Sequence, residues 1–170
     1  AENGILIKSG EALETAHRID TVVVDKTGTI TEGRPEVVSV QAFGVSETEL
    51  IAAAAGLEAG SEHPLAEAIM AYARKRQIEP LLMMDFAAVF GRGVRGQAAG
   101  SKWLAGNQRF LQEQQLETAA YQERLDALAD EGVTPLLVAC EKQVVGIFGV
   151  ADREKATSGQ AVREFAAMGL

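Results

Sequence analysis

Residues 21 to 29 read Thr21-Val22-Val23-Val24-Asp25-Lys26-Thr27-Gly28-Thr29, and the fold turns on how this stretch is read. Four β-branched residues bounded by Asp20 and Asp25 have the pattern of a short strand buried on both faces, as in a parallel α/β sheet. Asp25 then stands at the carboxyl end of that strand, where open α/β sheets place ligands. A carboxylate fixed there can attack a phosphoryl group and form an aspartyl phosphate, which divides one difficult transfer into two easier ones. Such chemistry needs magnesium to offset phosphate charge, backbone N–H groups freed by a glycine turn, and hydroxyl donors. Thr27, Gly28 and Thr29 supply the last two, although an aspartate and a glycine after a strand also make an ordinary turn.

Working outward, Ile5 to Lys8 reads as a short extended piece and Glu11 to Arg18 as a short helix with Leu13 and Ala16 inward. Beyond Gly33 and Pro35 the pattern changes. Val37, Val38 and Val40 suggest a strand; Ser46 and Glu49 form a capping box, and Leu50, Ile51, Ala54 and Leu57 follow at helical spacing until Gly60 supplies a stop. A second helix starts at Pro64, whose missing N–H costs nothing at the first helical position, and ends on Arg74, Lys75 and Arg76. Strands are expected at Phe86 to Phe90, Val94 to Ala98 and Lys102 to Ala105, then a short helix capped by Asn107 and carrying Phe110 and Leu111. Tyr121, Leu125 and Leu128 mark a helix ended by Gly132; Pro135 to Cys140 and Val144 to Val150 make a hairpin around Glu141, Lys142 and Gln143. Lys155 to Met168 reads as a helix with Val162, Phe165 and Ala166 on one face. The expected organisation is an α+β unit, an antiparallel sheet flanked by helices over residues 33–150, inserted into a broken α/β unit made of residues 1–32 and 151–170.

The 170 residues include 47% hydrophobic and 24% charged side chains, with only 17 glycines and 4 prolines, which predicts a packed globular fold. A net charge of −8 argues against a nucleic-acid surface, whose affinity comes from phosphate neutralisation. Cys140 is the only cysteine and sits among apolar neighbours, so it reads as core in a chain suited to a reducing compartment. His17 and His63 belong to no cluster of zinc-ligand spacing. No apolar run approaches the roughly 20 residues that cross a bilayer, so the polypeptide itself is expected to be soluble.

A second constellation comprises Glu58, Ser61, Glu62, His63, Pro64, Leu65 and Ala66. Proline at the first helical position pushes His63 toward an extended conformation and sets its ring at a helix cap. A ring there can stack on an adenine face and offer a donor and an acceptor to the base, though a His-Pro at a helix start is by itself an ordinary cap. Glu58, in the last turn of the preceding helix, is electrostatically misplaced against the helix dipole. Gly91, Gly93 and Gly96 satisfy G-x-G-x-x-G, but a dinucleotide fingerprint requires a helix directly afterwards, and Val94 to Gly100 has strand and turn character. These glycines instead let the backbone approach a ligand closely.

Taken together, DKTGT followed by Ile30, Thr31, Glu32 and Gly33 resembles the phosphorylation signature of P-type ATPases, whose catalytic domain is built like the haloacid-dehalogenase phosphatases. SEHPLAEAI resembles the His-Pro motif of the heavy-metal branch, FGRGV its G-x-G loop, AGNQRF its Gly-Asn element, and Asp152 to Lys155 its closing segment, all in family order. The resemblance implies that Asp25 is the phosphorylated nucleophile, with Lys26 and Thr27 beside it. It makes the Asp25 carboxylate and the Thr27 carbonyl magnesium ligands, and Thr27 a support for the transferred group. It implies further that Glu58, Ser61, His63, Gly91, Gly93, Val94, Gly106 and Asn107 bind ATP. The implied partners are the remainder of a phosphorylation domain with its TGD, lysine and GDGxND elements, an actuator domain, and transmembrane helices that handle the metal. The unit would lie at the cytoplasmic face of a membrane pump, carry no transported-metal site of its own, and bind ATP without turning it over in isolation. The opening GILIKSGEALE and the SEHPLA form look more like copper(I)-exporting pumps than zinc or cadmium ones. Two rivals stand beside this reading. A dehalogenase-type phosphatase normally carries a general-acid aspartate two residues after the nucleophile, where this chain has Thr27, and a non-enzymatic nucleotide-binding module would bind ATP without forming an acyl phosphate.

Overall fold

The computed structural model describes residues 6–61 and 63–170, together with all their side chains except that of Leu13. The chain forms two compact units, one of residues 1–32 and 154–170, the other of residues 33–153. Six strands make one sheet in the order β1-β6-β5-β4-β3-β2, with β1 (Thr31–Ala42), β2 (Met84–Val89), β3 (Gly93–Ala98), β4 (Ser101–Gly106), β5 (Thr134–Cys140) and β6 (Gln143–Glu154). Successive strands from β2 to β6 pair antiparallel. The larger unit therefore has the predicted character: an antiparallel sheet between helices.

Alternation along the strands gives the sheet two apolar faces. One carries Val94, Trp103, Ala105, Leu136, Val138, Phe148 and Val150 against α2 (Glu47–Glu58) and α3 (Pro64–Lys75). The other carries Leu104, Leu137, Ala139 and Ile147 against Phe110 and Leu111 of α4 (Gln108–Glu113) and Leu125 of α5 (Gln122–Asp130). The hairpin of β5 and β6 closes through two residues, Glu141 and Lys142, with Glu141 in the left-handed region at φ 54°.

Helix α2 follows its sequence signals. Ser46 Oγ accepts the Glu49 N–H at 3.1 Å, and Leu50, Ile51, Ala54 and Leu57 are wholly buried. Burial continues unbroken from Leu50 to Glu58, because the run of alanines presents no bulk on any face. The chain after α3 passes so close that the Leu81 N–H donates to the Ala52 carbonyl at 2.9 Å and the Leu81 backbone fills the space where a Gly56 Cβ would stand. Gly60 acts otherwise than as a helix stop: it lies outside the left-handed region, and the Phe86 ring packs 3.0 Å from its Cβ position.

The smaller unit differs most from expectation. Residues 21–24 form no strand, and Val22, Val23 and Val24 are exposed, Val23 by 92%. A β-branched run becomes an inner strand only with partners on both edges, and among the described residues none pairs with it. Helix α1 (Gly10–Ala16) forms, with Ala16 exposed rather than inward and the Leu13 side chain outside the described set. Residues 6–8 form no strand, and Ile5 lies outside the described residues. Helix α6 (Ser158–Ala167) starts three residues later than predicted; Phe165 is half-buried, whereas Val162 and Ala166 are exposed. No helix among the described residues is long and apolar enough to cross a membrane.

Placing a methyl group at residue 56 forces the α2 backbone away from the Leu81 backbone. Gly56→Ala is expected to lower unfolding stability by about 3 kcal/mol, the upper range for overpacking, measured as a reduced urea midpoint with unchanged slope.

Candidate functional site

Asp25 leads into a tight reversal. It is itself extended (φ −72°, ψ 149°), Thr27 has φ −78° and ψ 120°, and Gly28 has φ 77° and ψ −11°, which are the torsions of a type II turn with glycine at the position that demands positive φ. Thr31, nearly fully buried, staples the base of the turn: its hydroxyl donates to the Lys26 carbonyl at 3.0 Å and accepts the Gly28 N–H at 3.2 Å. The returning segment grips the same turn. Lys155 Nζ donates to the Gly28 carbonyl at 2.7 Å, the Lys155 N–H to the Ile30 carbonyl at 2.9 Å, and Ser158 Oγ to the same carbonyl at 2.6 Å. Ser158 was not singled out by its sequence context; a serine at a helix start reads simply as a cap. Asp25, Lys26 and Thr27 are all exposed.

Magnesium prefers hard oxygen ligands, and the Asp25 carboxylate and Thr27 carbonyl are of that kind. Among the described residues no group of three or more His, Cys, Asp or Glu side chains gathers to hold a metal, so a magnesium ion held by these two oxygens would need further donors. The donor chemistry fits; the donor number has to be made up by phosphate, water or other protein groups.

In the larger unit His63 is extended (φ −73°, ψ 142°) and caps α3, as the following proline dictates. Its Nδ1 accepts the Leu65 N–H at 3.2 Å, which leaves Nε2 as the ring nitrogen available to a ligand. Ser61 binds both neighbours: its N–H donates to the Glu58 carbonyl at 2.9 Å, and its Oγ accepts the His63 N–H at 3.3 Å. Glu58 is only 5% exposed. Burial pushes its carboxyl above the ordinary range, and a hydrogen bond with the Ser61 side chain offsets part of that rise.

The glycine elements meet across the β3–β4 ladder, where Gly93 pairs with Gly106. A Cβ on Gly93 would lie 2.7 Å from the Gly106 Cα and 2.9 Å from Phe110 Cδ1, and one on Gly106 would lie 2.7 Å from the same Phe110 carbon. Glycine is therefore required at both positions by packing, whatever else the backbone there contacts. Gly91 turns the chain at φ 66°. Asn107 ties the loop together: Oδ1 caps α4 by accepting the Phe110 N–H at 2.9 Å, Nδ2 donates to the Gly91 carbonyl at 3.2 Å, and its N–H donates to the Arg92 carbonyl at 3.0 Å. Arg92 is braced by Glu113 at 3.0 Å. Val94 is a core residue on the α2–α3 face. The rejection of a dinucleotide fingerprint holds, because β3 rather than a helix follows the turn.

The haloacid dehalogenase-like hydrolase family model matches residues 19–170. This chain belongs to that family. It is 42% identical over 171 residues to a copper-transporting P-type ATPase of Rhizobium leguminosarum bv. viciae, and 40% identical over 171 residues to a copper-exporting P-type ATPase of Bacillus subtilis (strain 168). All of the chain is covered in both cases, and it spans about one fifth of those relatives' length, 20% and 21%. Among solved structures, a zinc-transporting PIB-type ATPase matches with a TM-score of 0.82 at 33% identity, covering 96% of this chain and 26% of that one. The catalytic domain of the CPx-ATPase CopB-B matches with a TM-score of 0.74 at 25% identity, covering 99% of this chain and 58% of that one. The fold of nearly the whole chain is thus shared with these two ATPase structures.

The raised Glu58 carboxyl carries a sign. A carboxyl that keeps its proton to higher pH when folded contributes full stability below its unfolded value, and that contribution is lost as pH rises through the folded value. Glu58→Gln is therefore expected to raise the melting temperature at pH 7, with the advantage shrinking as pH falls toward 4 in parallel thermal melts.

Proposed function

We propose that this chain is the ATP-binding and phosphoacceptor part of a copper(I)-exporting P-type ATPase. ATP binds the larger unit, its adenine at Glu58, Ser61 and His63 beside the backbone of Gly91, Gly93, Val94, Gly106 and Asn107. Asp25 receives the γ-phosphoryl group. A carboxylate oxygen of Asp25 attacks the γ-phosphorus, the bond from phosphorus to the β–γ bridging oxygen breaks, and ADP departs with the electron pair. Lys26 and the hydroxyl of Thr27 lie next in the chain to steady the transferred group, and magnesium, when bound, neutralises charge on the phosphate oxygens.

The observation that carries this reading is the turn after Asp25, pinned at Gly28 and Ile30 by Lys155 and Ser158, with a threonine at residue 27. A phosphatase places a general acid there to hydrolyse its aspartyl phosphate quickly. Thr27 cannot supply a proton in that way, which suits an intermediate that has to persist through a transport step. The exposed valines at residues 22 to 24 fit the same reading, since an apolar run of this kind is covered when the remaining part of a phosphorylation domain supplies neighbouring strands. Transmembrane helices of the parent would handle the metal. Copper is favoured over zinc or cadmium by the 42% and 40% identity to copper ATPases over the whole chain.

The complete parent pump, given ATP labelled at the γ-phosphate, is expected to acquire a hydroxylamine-sensitive acyl phosphate that Asp25→Asn abolishes; a label persisting in that variant defeats the assignment. The 170-residue chain alone is expected to bind ATP without steady phosphate release. In it, His63→Gln should weaken ATP about tenfold by calorimetry, the scale of one good polar or stacking contact.

A further inference from the structure

Three peptide units make the reversal after Asp25, and the outer two are anchored. The Lys26 carbonyl accepts from the Thr31 hydroxyl at 3.0 Å, and the Gly28 carbonyl accepts from Lys155 Nζ at 2.7 Å. Between them lies the unit that joins Thr27 to Gly28. With both neighbours held, such a unit has two settings that differ by a half-turn of its plane, the type I and type II forms of one turn. Type II is the form present, and it requires the positive φ that Gly28 has, 77°.

Thr31, only 1% exposed, makes the choice between them. The Gly28 N–H donates to Thr31 Oγ1 at 3.2 Å, and in a planar trans peptide the N–H and the C=O point to opposite sides. A Gly28 N–H drawn toward Thr31 therefore leaves the Thr27 carbonyl directed the other way, away from the buried hydroxyl. The reverse setting is disfavoured by the same atom. A hydroxyl has one proton, and that of Thr31 is given to the Lys26 carbonyl, so a Thr27 carbonyl turned inward would meet only oxygen lone pairs. Resting on the preceding subsection's reading of Asp25, we propose that Thr31 is a positioning residue for phosphoryl transfer: through the Gly28 N–H it sets the plane of the Thr27 to Gly28 peptide and presents the Thr27 carbonyl to magnesium. Its effect falls on affinity for the ion, because a carbonyl that is correctly turned for only part of the time binds in proportion to that fraction. Gly28 gives an independent handle on the same plane. A Cβ there would meet nothing within 4 Å, so Gly28→Ala introduces no clash and acts only by making positive φ unfavourable.

The test has two readouts. In the 170-residue chain, NMR hydrogen exchange at the Gly28 amide reports the hydrogen bond directly, since Gly28 is otherwise exposed. Thr31→Val keeps the shape of the side chain and is expected to speed that exchange about tenfold, whereas Thr31→Ser should stay near native. In the parent pump, ATP labelled at the γ-phosphate gives the free magnesium concentration for half-maximal acyl phosphate. Thr31→Val and Gly28→Ala should each raise it about tenfold, the scale of one good polar contact, with the full label recovered at saturating magnesium and Thr31→Ser unchanged. Native exchange at Gly28 in Thr31→Val overturns the lock. A native magnesium requirement in that variant, with the amide exchanging freely, overturns the role of the carbonyl. A label lowered by one factor at every magnesium concentration makes Thr31 merely structural and overturns the proposal as well. Should Thr31→Val fail to fold, Gly28→Ala decides by the same magnesium titration. A native pump that never acquires the label removes the reading of Asp25, and the proposal with it.

Discussion

Burial of α2 along nearly its whole length sets the geometry of the larger unit. A helix whose buried residues include four consecutive alanines and a glycine can be enclosed on every side, by the sheet, by α3 and by the chain around Leu81, because no side chain holds the neighbouring backbone away. Enclosure continues to the last residue, and so Glu58 is carried into the interior although its chemistry favours water. Ser61 partly compensates, and in doing so joins the end of α2 to the His63 cap of α3. The position of the Glu58 side chain is thus a consequence of core packing, whereas His63 is set by its cap and the proline that follows.

The glycine loop obeys a different constraint. Gly93 and Gly106 face each other beneath the Phe110 ring, and Asn107 bridges from the start of α4 back to Gly91. Two segments separated in sequence are thereby locked into one surface by close backbone approach and a single amide side chain. In the smaller unit the corresponding device is hydroxyl chemistry: Thr31 and Ser158 hold the turn that follows Asp25 from its inner side, leaving its outer side open.

Most of the larger unit was legible in the sequence because its signals are local. Ser46 with Glu49, His63 with Leu65 and Asn107 with Phe110 are caps whose partners lie within three residues, and strand alternation carries over five or six. The valines at residues 22 to 24 have the composition of a buried strand yet are exposed, because composition encodes preference for a sheet without encoding whether neighbouring strands are at hand. Gly60 has the local pattern of a helix stop, whereas its small size serves Phe86 twenty-six residues away, a relation no local pattern reveals. Ser158 is hidden from local pattern for the same reason: its partner, the Ile30 carbonyl, lies far away in the sequence.

Asp152 shows what such long-range contacts accomplish. Its two carboxylate oxygens accept the Gly33 N–H at 3.1 Å and the Arg34 N–H at 2.9 Å, so the first and last residues of the larger unit are clasped side by side. A body of more than a hundred residues that begins and ends at one point stretches its host chain no more than a hairpin bend would, and it loses little entropy when joined there. Excised at those neighbouring ends, it would keep its own clasp and most of its hydrophobic interior, the properties that let a module travel between proteins as a self-contained cartridge.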